Sequence, residues 1–138
     1  MAWITEDEPT DAATLSERVA DGRLIVIDHG GLPVAAVIFS PVDGAAYIEE
    51  IDVLPAHAGH RLAARLIDDV AKRSAALGLP CLTLSTFRAV PWNAPYYRRL
   101  GFNDMAEADL GPGHLAIREH HRARGLADEH RVFLQRPI

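Results

Sequence analysis

The apolar positions change period along the chain, and each change marks an element. Thr10 stands where a helix cap belongs, Leu15 and Val19 share one helical face at i, i+4, and Gly22 is placed to stop the run. This predicts a helix over 11–20. Three apolar, β-branched runs follow at short intervals: Leu24 to Asp28, Pro33 to Phe39 and Ala46 to Leu54. The separators His29-Gly30-Gly31-Leu32 and Ser40-Pro41-Val42-Asp43-Gly44 have turn composition, so the runs predict an antiparallel meander.

From Ala58 to Leu77 the pattern becomes helical. Leu62, Leu66 and Val70 recur every four residues with Ala63, Ile67 and Ala71 alongside, and Gly78 and Pro80 end the segment. Cys81 to Phe87 reads as a buried strand, and Ala94 to Leu100 as a short helix with Pro95 tolerated in its first turn. Gly101 to Asp104 leads into a strand, Leu115 to Arg124 reads as a helix stopped by Gly125, and Arg131 to Gln135 as a last strand. The expected fold is α/β (α+β), a mixed, mainly antiparallel central sheet flanked by helices. At 138 residues the whole chain, 1–138, makes one domain.

Composition narrows the function classes. Lys and Arg number 14 against 19 Asp and Glu, giving a net charge of −5, and the basic residues are interleaved with acidic ones. A nucleic-acid binder needs clustered basic charge to neutralise phosphates, so no nucleic acid is expected as a main partner. No run approaches the roughly 18 apolar residues of a membrane span. Met1 to Glu8 carries acid where an export signal carries positive charge, so the expected location is cytoplasmic, without a membrane partner.

Cys81, the one cysteine, lies in the apolar run Cys81-Leu82-Thr83-Leu84 and reads as a small core residue rather than a nucleophile. His114, His120, His121 and His130 cluster towards the C-terminus, but their spacing matches no zinc signature and adjacent His120 and His121 point apart on a helix; no metal is expected. The run Arg118 to Arg124 reads as a solvated helix face, the alternative being recognition of an acidic acceptor.

The junction from Ile51 to Leu66 is where chemistry concentrates. A strand passes through the small-residue turn around Ala58 and Gly59 into a helix, where free N–H groups and the positive end of the helix dipole favour an anion. Taken alone, such a turn is more often purely structural than a binding site. A second segment, Trp92-Asn93-Ala94-Pro95-Tyr96-Tyr97-Arg98-Arg99-Leu100-Gly101-Phe102, lies downstream of it. Asn93, Tyr97, Gly101 and Phe102 fit an N-x-x-x-Y-x-x-x-G-F element without a gap, and the stretch from Thr86 through Tyr97 is similar to a T-F-R-x-V-P-W-N-x-P-(F/Y)-Y variant. In this pairing the chain resembles the GCN5-related N-acetyltransferase (GNAT) superfamily over Arg23 to Phe102.

The resemblance implies acetyl-CoA in a cleft where the strand ending at Leu54 splays from the strand starting near Cys81. Ile51, Asp52 and Val53 would bind the pantetheine arm through their backbone, and the turn Ala58, Gly59, His60, Arg61, Leu62, Ala63 and Ala64 would hold the pyrophosphate, with Asn93 also at the cofactor. Tyr97 matches the family tyrosine that protonates the departing thiolate. A base must deprotonate the acceptor amine. Glu49 and Glu50 are adjacent on the strand, so strict alternation sends them to opposite faces, and Glu49 is preferred because it shares a face with Ile51 and Val53.

Two departures stand out. Ala58 occupies a position usually Gln or Arg, and Arg61 one usually Gly. The resemblance also implies an opening strand and helix for which this sequence shows no counterpart, so an exposed sheet edge is expected, with a homodimer, cover by another segment and a truncated start as the open alternatives. The expected function is acetyl-CoA-dependent N-acetyl transfer to a primary amine of a small molecule or peptide; the alternative is a non-catalytic acyl-CoA-binding or protein-interaction module of the same fold.

Overall fold

The structure, a computed structural model, describes residues 21–88, 93–125 and 131–138. The helix expected over 11–20, Trp92 and His130 lie outside them. Within them a six-stranded sheet runs in the order β1-β2-β3-β4-β6-β5. The strands are β1 (Leu24–His29), β2 (Leu32–Val42), β3 (Ala45–Val53), β4 (Cys81–Phe87), β5 (Asn103–Asp104) and β6 (Arg131–Pro137). Every neighbouring pair is antiparallel except β3 and β4. The expected mixed, mainly antiparallel sheet is therefore the observed one.

The first three strands form hairpins closed by Gly30-Gly31 and by Asp43-Gly44, all four at positive φ (61°, 83°, 51° and 79°). Two left-handed residues make the turn whose twist matches that of the flanking strands. β2 consequently runs on to Val42, past the Phe39 boundary that the turn-like sequence Ser40 to Gly44 suggested. Pro41 is tolerated there because β1 begins at Leu24, opposite Ile38, so among the described residues no ladder on that side needs its missing N–H.

Three α-helices pack on this sheet among the described residues: α1 (Leu62–Ala76), α2 (Ala94–Arg99) and α3 (Pro112–Ala123). The i, i+4 stripe of α1 buries Ala63, Leu66, Ile67 and Val70 against one sheet face, where Ile25, Val37, Ile48, Ile51, Val53, Leu82 and Leu84 meet them. Each fully buried aliphatic side chain is worth about 1.5–3 kcal/mol. The helix does not start at Ala58 as the periodicity suggested. Pro55–His57 makes a short 3-10 turn, and Gly59 and Arg61 are left-handed (φ 87° and 58°), which keeps the chain from becoming helical before Leu62. α3 begins three residues earlier than expected, with Pro112 at its start, where a missing N–H costs nothing.

α3 lies against the opposite sheet face through a bridge that runs from the exposed turn residue Asp43 to buried His114 and Thr83. Asp43, in the β2–β3 turn, accepts N–H bonds from Gly113 (2.8 Å) and His114 (2.9 Å), capping α3 from 70 residues away in sequence. Its Oδ2 also meets His114 Nδ1 at 2.7 Å, and His114 Nε2 lies 2.9 Å from Thr83 Oγ1. Tyr47 and Phe133 pack edge-on against the His114 ring. Burial alone would raise the Asp43 carboxyl, but the bonds from His114 and Gly113 outweigh it and hold it below the ordinary carboxylate range.

Candidate active site

The parallel ladder between β3 and β4 is short. Ala46 pairs with Leu82 and Tyr47 with Thr83, and there it ends, although both strands continue to Val53 and Phe87. The strands beyond form a V whose closed end is the Asp43–His114–Thr83 bridge. The cause of the opening is visible two residues past Tyr47. On β2, adjacent Ile38 and Phe39 pair with Glu50 and Ile48, leaving Glu49 as the extra residue of a β-bulge. A bulge bends its strand and re-aims a side chain, so β3 turns away from β4 at Glu49.

The bulge also changes the alternation that the sequence suggested. Ile48 and Ile51, three apart, both enter the core beneath α1. The face shared by Ile51 and Val53 is therefore packed, and continuing their period to Glu49 would drive a carboxylate into the core. Instead both Glu49 and Glu50 are half-buried. Glu50 lies opposite Ile38, and Asp52 opposite Ala36 on the sheet face away from α1.

The turn from Ala58 to Arg61 delivers the chain to the N-terminus of α1, whose first turn contains no acidic residue and whose cap, Arg61, makes no side-chain capping bond. The N–H groups of Leu62, Ala63 and Ala64 thus keep the positive end of α1 available to an anion. Arg61 adopts the left-handed conformation that glycine adopts without cost, at a cost of about 1–2 kcal/mol. Its charge reaches α2. Burial pushes the Tyr96 hydroxyl up from its ordinary value, while Arg99 and Arg61 pull it partly back; the Arg99 guanidinium sits 5.7 Å from the Tyr96 ring centre.

α2 explains why its motif has that spacing. Asn93 caps the helix, and its carbonyl accepts the Tyr97 N–H at 3.0 Å. At the other end Gly101 (φ 97°) lets the chain reverse, so that the Phe102 N–H reaches the Tyr97 carbonyl (3.1 Å) and the Gly101 N–H reaches Arg98 (3.1 Å). This is a Schellman cap with its hydrophobic contact: the Phe102 ring meets Tyr97 at 5.9 Å, inclined 72°. Asn, Tyr, Gly and Phe at that spacing are one mechanical unit that fixes the Tyr97 ring, which is 2% exposed within the core. Asn93 is also buried, and its Oδ1 has no hydrogen-bond partner among the described residues. A buried acceptor in that state costs about 1–3 kcal/mol, which a donor on a ligand would recover.

Cys81 is half-buried with its thiol pushed up by burial, in keeping with an inert packing role. His114 and His121 are buried and His120 exposed; no group of three or more His, Cys, Asp or Glu suited to a metal occurs among the described residues. The sequence reading did not anticipate the Asp43–His114–Thr83 bridge, whose members lie in three separate elements and follow no local motif.

A sheet split between two parallel strands, with a helix N-terminus and a capped tyrosine helix packed on one side of it, is the scaffold of one class of acyl-transfer proteins. The acetyltransferase (GNAT) family matches residues 2–102, and the chain belongs to that family. N-acetylglutamate synthase from Neisseria gonorrhoeae, crystallised with coenzyme A and N-acetyl-glutamate, is similar at a TM-score of 0.76 and 14% identity, covering 94% of this chain. This chain spans 28% of that one. A Mycobacterium tuberculosis protein crystallised with CoA reaches 0.74 at 16% identity, over 100% of this chain and 87% of its own. The ribosomal-protein-S18-alanine N-acetyltransferase from Escherichia coli reaches 0.63 at 17% identity, over 96% and 80%. These likenesses show the fold. No helix among the described residues is long and apolar enough to cross a membrane.

Proposed function

We propose that this chain is an acetyl-CoA-dependent N-acetyltransferase that moves an acetyl group directly to a primary amine of a small molecule or peptide. The observation that carries the reading is the V between β3 and β4, opened by the bulge at Glu49. The backbone of Ile51, Asp52 and Val53, the turn from Ala58 to Ala64 and the side chain of Asn93 supply the donors and acceptors for acetyl-CoA, which brings the activated thioester. The orphaned Asn93 Oδ1 and the acid-free N-terminus of α1 fit that ligand.

An amine of pKa near 10 is mostly protonated at neutral pH, so a carboxylate must take its proton before it attacks. Glu49, released from the ladder by the bulge, is our choice, with Glu50 next in order. The N–H near Val53 stabilises the developing oxyanion, and Tyr97 gives its proton to the departing thiolate. Arg61 in place of glycine favours the alternative, a non-catalytic acyl-CoA-binding or protein-interaction module. Calorimetric titration with acetyl-CoA, followed by a free-thiol assay over an amine panel, tests the reading. A folded protein that binds acetyl-CoA yet releases no thiol with any amine, and binds equally well as Tyr97→Phe, is the module instead.

The same reading places the protein in the cytoplasm and pairs it as a homodimer through the β1 edge, where Val26 and Leu32 are exposed. Sedimentation showing a monomer throughout the micromolar range removes the dimer.

A further inference from the structure

Three histidines from separate parts of the chain meet beside the turn that leads into α1. His29 ends β1, His57 ends the 3-10 turn after β3, and His60 stands between left-handed Gly59 and Arg61. The sheet brings them together. β1 and β2 stay paired as far as His29 and Leu32, and the Leu54 N–H reaches the Val34 carbonyl at 2.9 Å, so the end of that hairpin lies beside the chain leaving β3. The ring centres of His29 and His57 are 5.4 Å apart, and those of His57 and His60 are 6.5 Å apart. His57, half-buried, is the middle of the row, and its two neighbours are exposed.

The charged side chains on the segments that meet here are Asp28 before His29, Asp52 before the turn, and Arg61 and Arg65 at the start of α1, with Tyr96 of α2 within electrostatic reach of Arg61. Among the described residues the three rings make no hydrogen bond or ion pair, and they form no metal-binding group. What remains to them is charge. Histidine is the side chain whose charge changes between about pH 5 and 8, whereas carboxylates and guanidinium groups ordinarily titrate well outside that range. Charging neighbouring rings sets cations 5.4 and 6.5 Å apart in a row that ends beside Arg61, and each cation opposes the next. A polyanion laid along the row reverses that balance, and the row adjoins the first free N–H groups of α1.

Resting on the reading of this turn as the diphosphate site of acetyl-CoA, and on no part of the catalytic one, we propose that His29, His57 and His60 link cofactor binding to protons: the phosphates of acetyl-CoA bind most tightly to the protonated rings, and binding draws protons from solvent onto them. A bound phosphate strengthens each ring's hold on its proton. The added affinity is therefore complete in mild acid and is lost as pH rises through neutrality. The acetyl group and its thioester take no part in this exchange.

Calorimetric titration with acetyl-CoA between pH 8 and 6.5, in two buffers of different protonation enthalpy, reads affinity and proton uptake together. Kd should fall about fivefold or more from the alkaline to the acid end, with net proton uptake at pH 7. The comparison is the triple variant His29→Gln, His57→Gln, His60→Gln, whose fold circular dichroism confirms; its affinity should change little with pH and its proton uptake should fall towards zero. The cofactor's own 3′-phosphate, which protonates near pH 6, does so for both proteins, so the difference between them isolates the rings. A purely structural role for the histidines would weaken binding equally at every pH. That result, a flat profile in the parent protein, or a slope that survives in the variant overturns this inference while leaving acetyl-CoA binding and the acetyltransferase reading in place. A folded parent protein that binds no acetyl-CoA at any of these pH values removes the site itself, and this inference falls with it.

Discussion

The two ends of the β3–β4 pair are built from the same strands and differ in almost every physical respect. At the closed end Tyr47 and Thr83 are ladder partners, His114 bridges Asp43 to Thr83, and aromatic edges fill the space between them. Buried polar groups there find partners. At the open end the ladder stops, Glu49 is a bulge, Arg61 is left-handed and Asn93 Oδ1 is an orphaned buried acceptor. Backbone strain is present at both ends, in Asp43 (φ 51°) and Arg61 (φ 58°), but Asp43 is tied down by its bonds to residues 113 and 114, whereas Arg61 makes no capping bond.

The largest effect should come from the open end. Tyr97→Phe keeps the ring contacts with Phe102 and Tyr96 and removes only the hydroxyl. Loss of a general acid costs 10²–10⁴ in rate, so kcat should fall about a thousandfold, or ~4 kcal/mol of barrier. Acetyl-CoA affinity by calorimetry should stay within a few-fold. Unchanged kcat would make Tyr97 a packing residue and the open end no more catalytic than the closed one.

The closed end should answer in stability instead. His114→Ala leaves Asp43 Oδ2 and Thr83 Oγ1 without their ring partner and opens a cavity between Tyr47 and Phe133. We expect a loss of about 3 kcal/mol and a melting temperature lower by roughly 10 °C, with KM for acetyl-CoA nearly unmoved. Acid sharpens the point. The Asp43 carboxyl is held below its ordinary value of 3.8 in the fold, so its contribution is complete above that value and is lost as pH falls through the folded one. Melting curves from pH 6 downwards should show this acid loss, smaller in His114→Ala but not abolished, because the N–H bonds from residues 113 and 114 remain. Equal acid loss in both proteins would place the effect elsewhere.

How much of this was legible in the sequence follows from which interactions are local. β4 matches its expected bounds because Pro80 and the apolar run from Cys81 mark it in sequence. The Asn93–Tyr97–Gly101–Phe102 unit was readable because a Schellman cap is a short-range device. The bulge was not, since the residues from Ala45 to Ile48 are all buried and carry no alternation to interrupt. Nor was the Asp43–His114–Thr83 bridge, whose members lie far apart in sequence and meet only in the folded chain. The Arg118 to Arg124 run is largely the solvated helix face its charges suggested, with Arg118 half-buried and His121 buried.

The smallest effect is the one that couples the two currencies. Arg61 holds a left-handed conformation that costs about 1–2 kcal/mol in any residue but glycine, and glycine returns part of that gain through greater freedom in the unfolded chain. Arg61→Gly should therefore stabilise the fold by about 0.5–1 kcal/mol, a rise of a few degrees in melting temperature. Its guanidinium lies within electrostatic reach of Tyr96 on α2. As the residue that leads into α1 it would pair with a phosphate bound at that helix's N-terminus, and removing it should weaken acetyl-CoA about tenfold. Stability and affinity would then move in opposite directions on one substitution, as strain held for a ligand requires. Tighter binding together with higher stability would show instead that the side chain obstructs the loop, and unchanged affinity would remove Arg61 from the site.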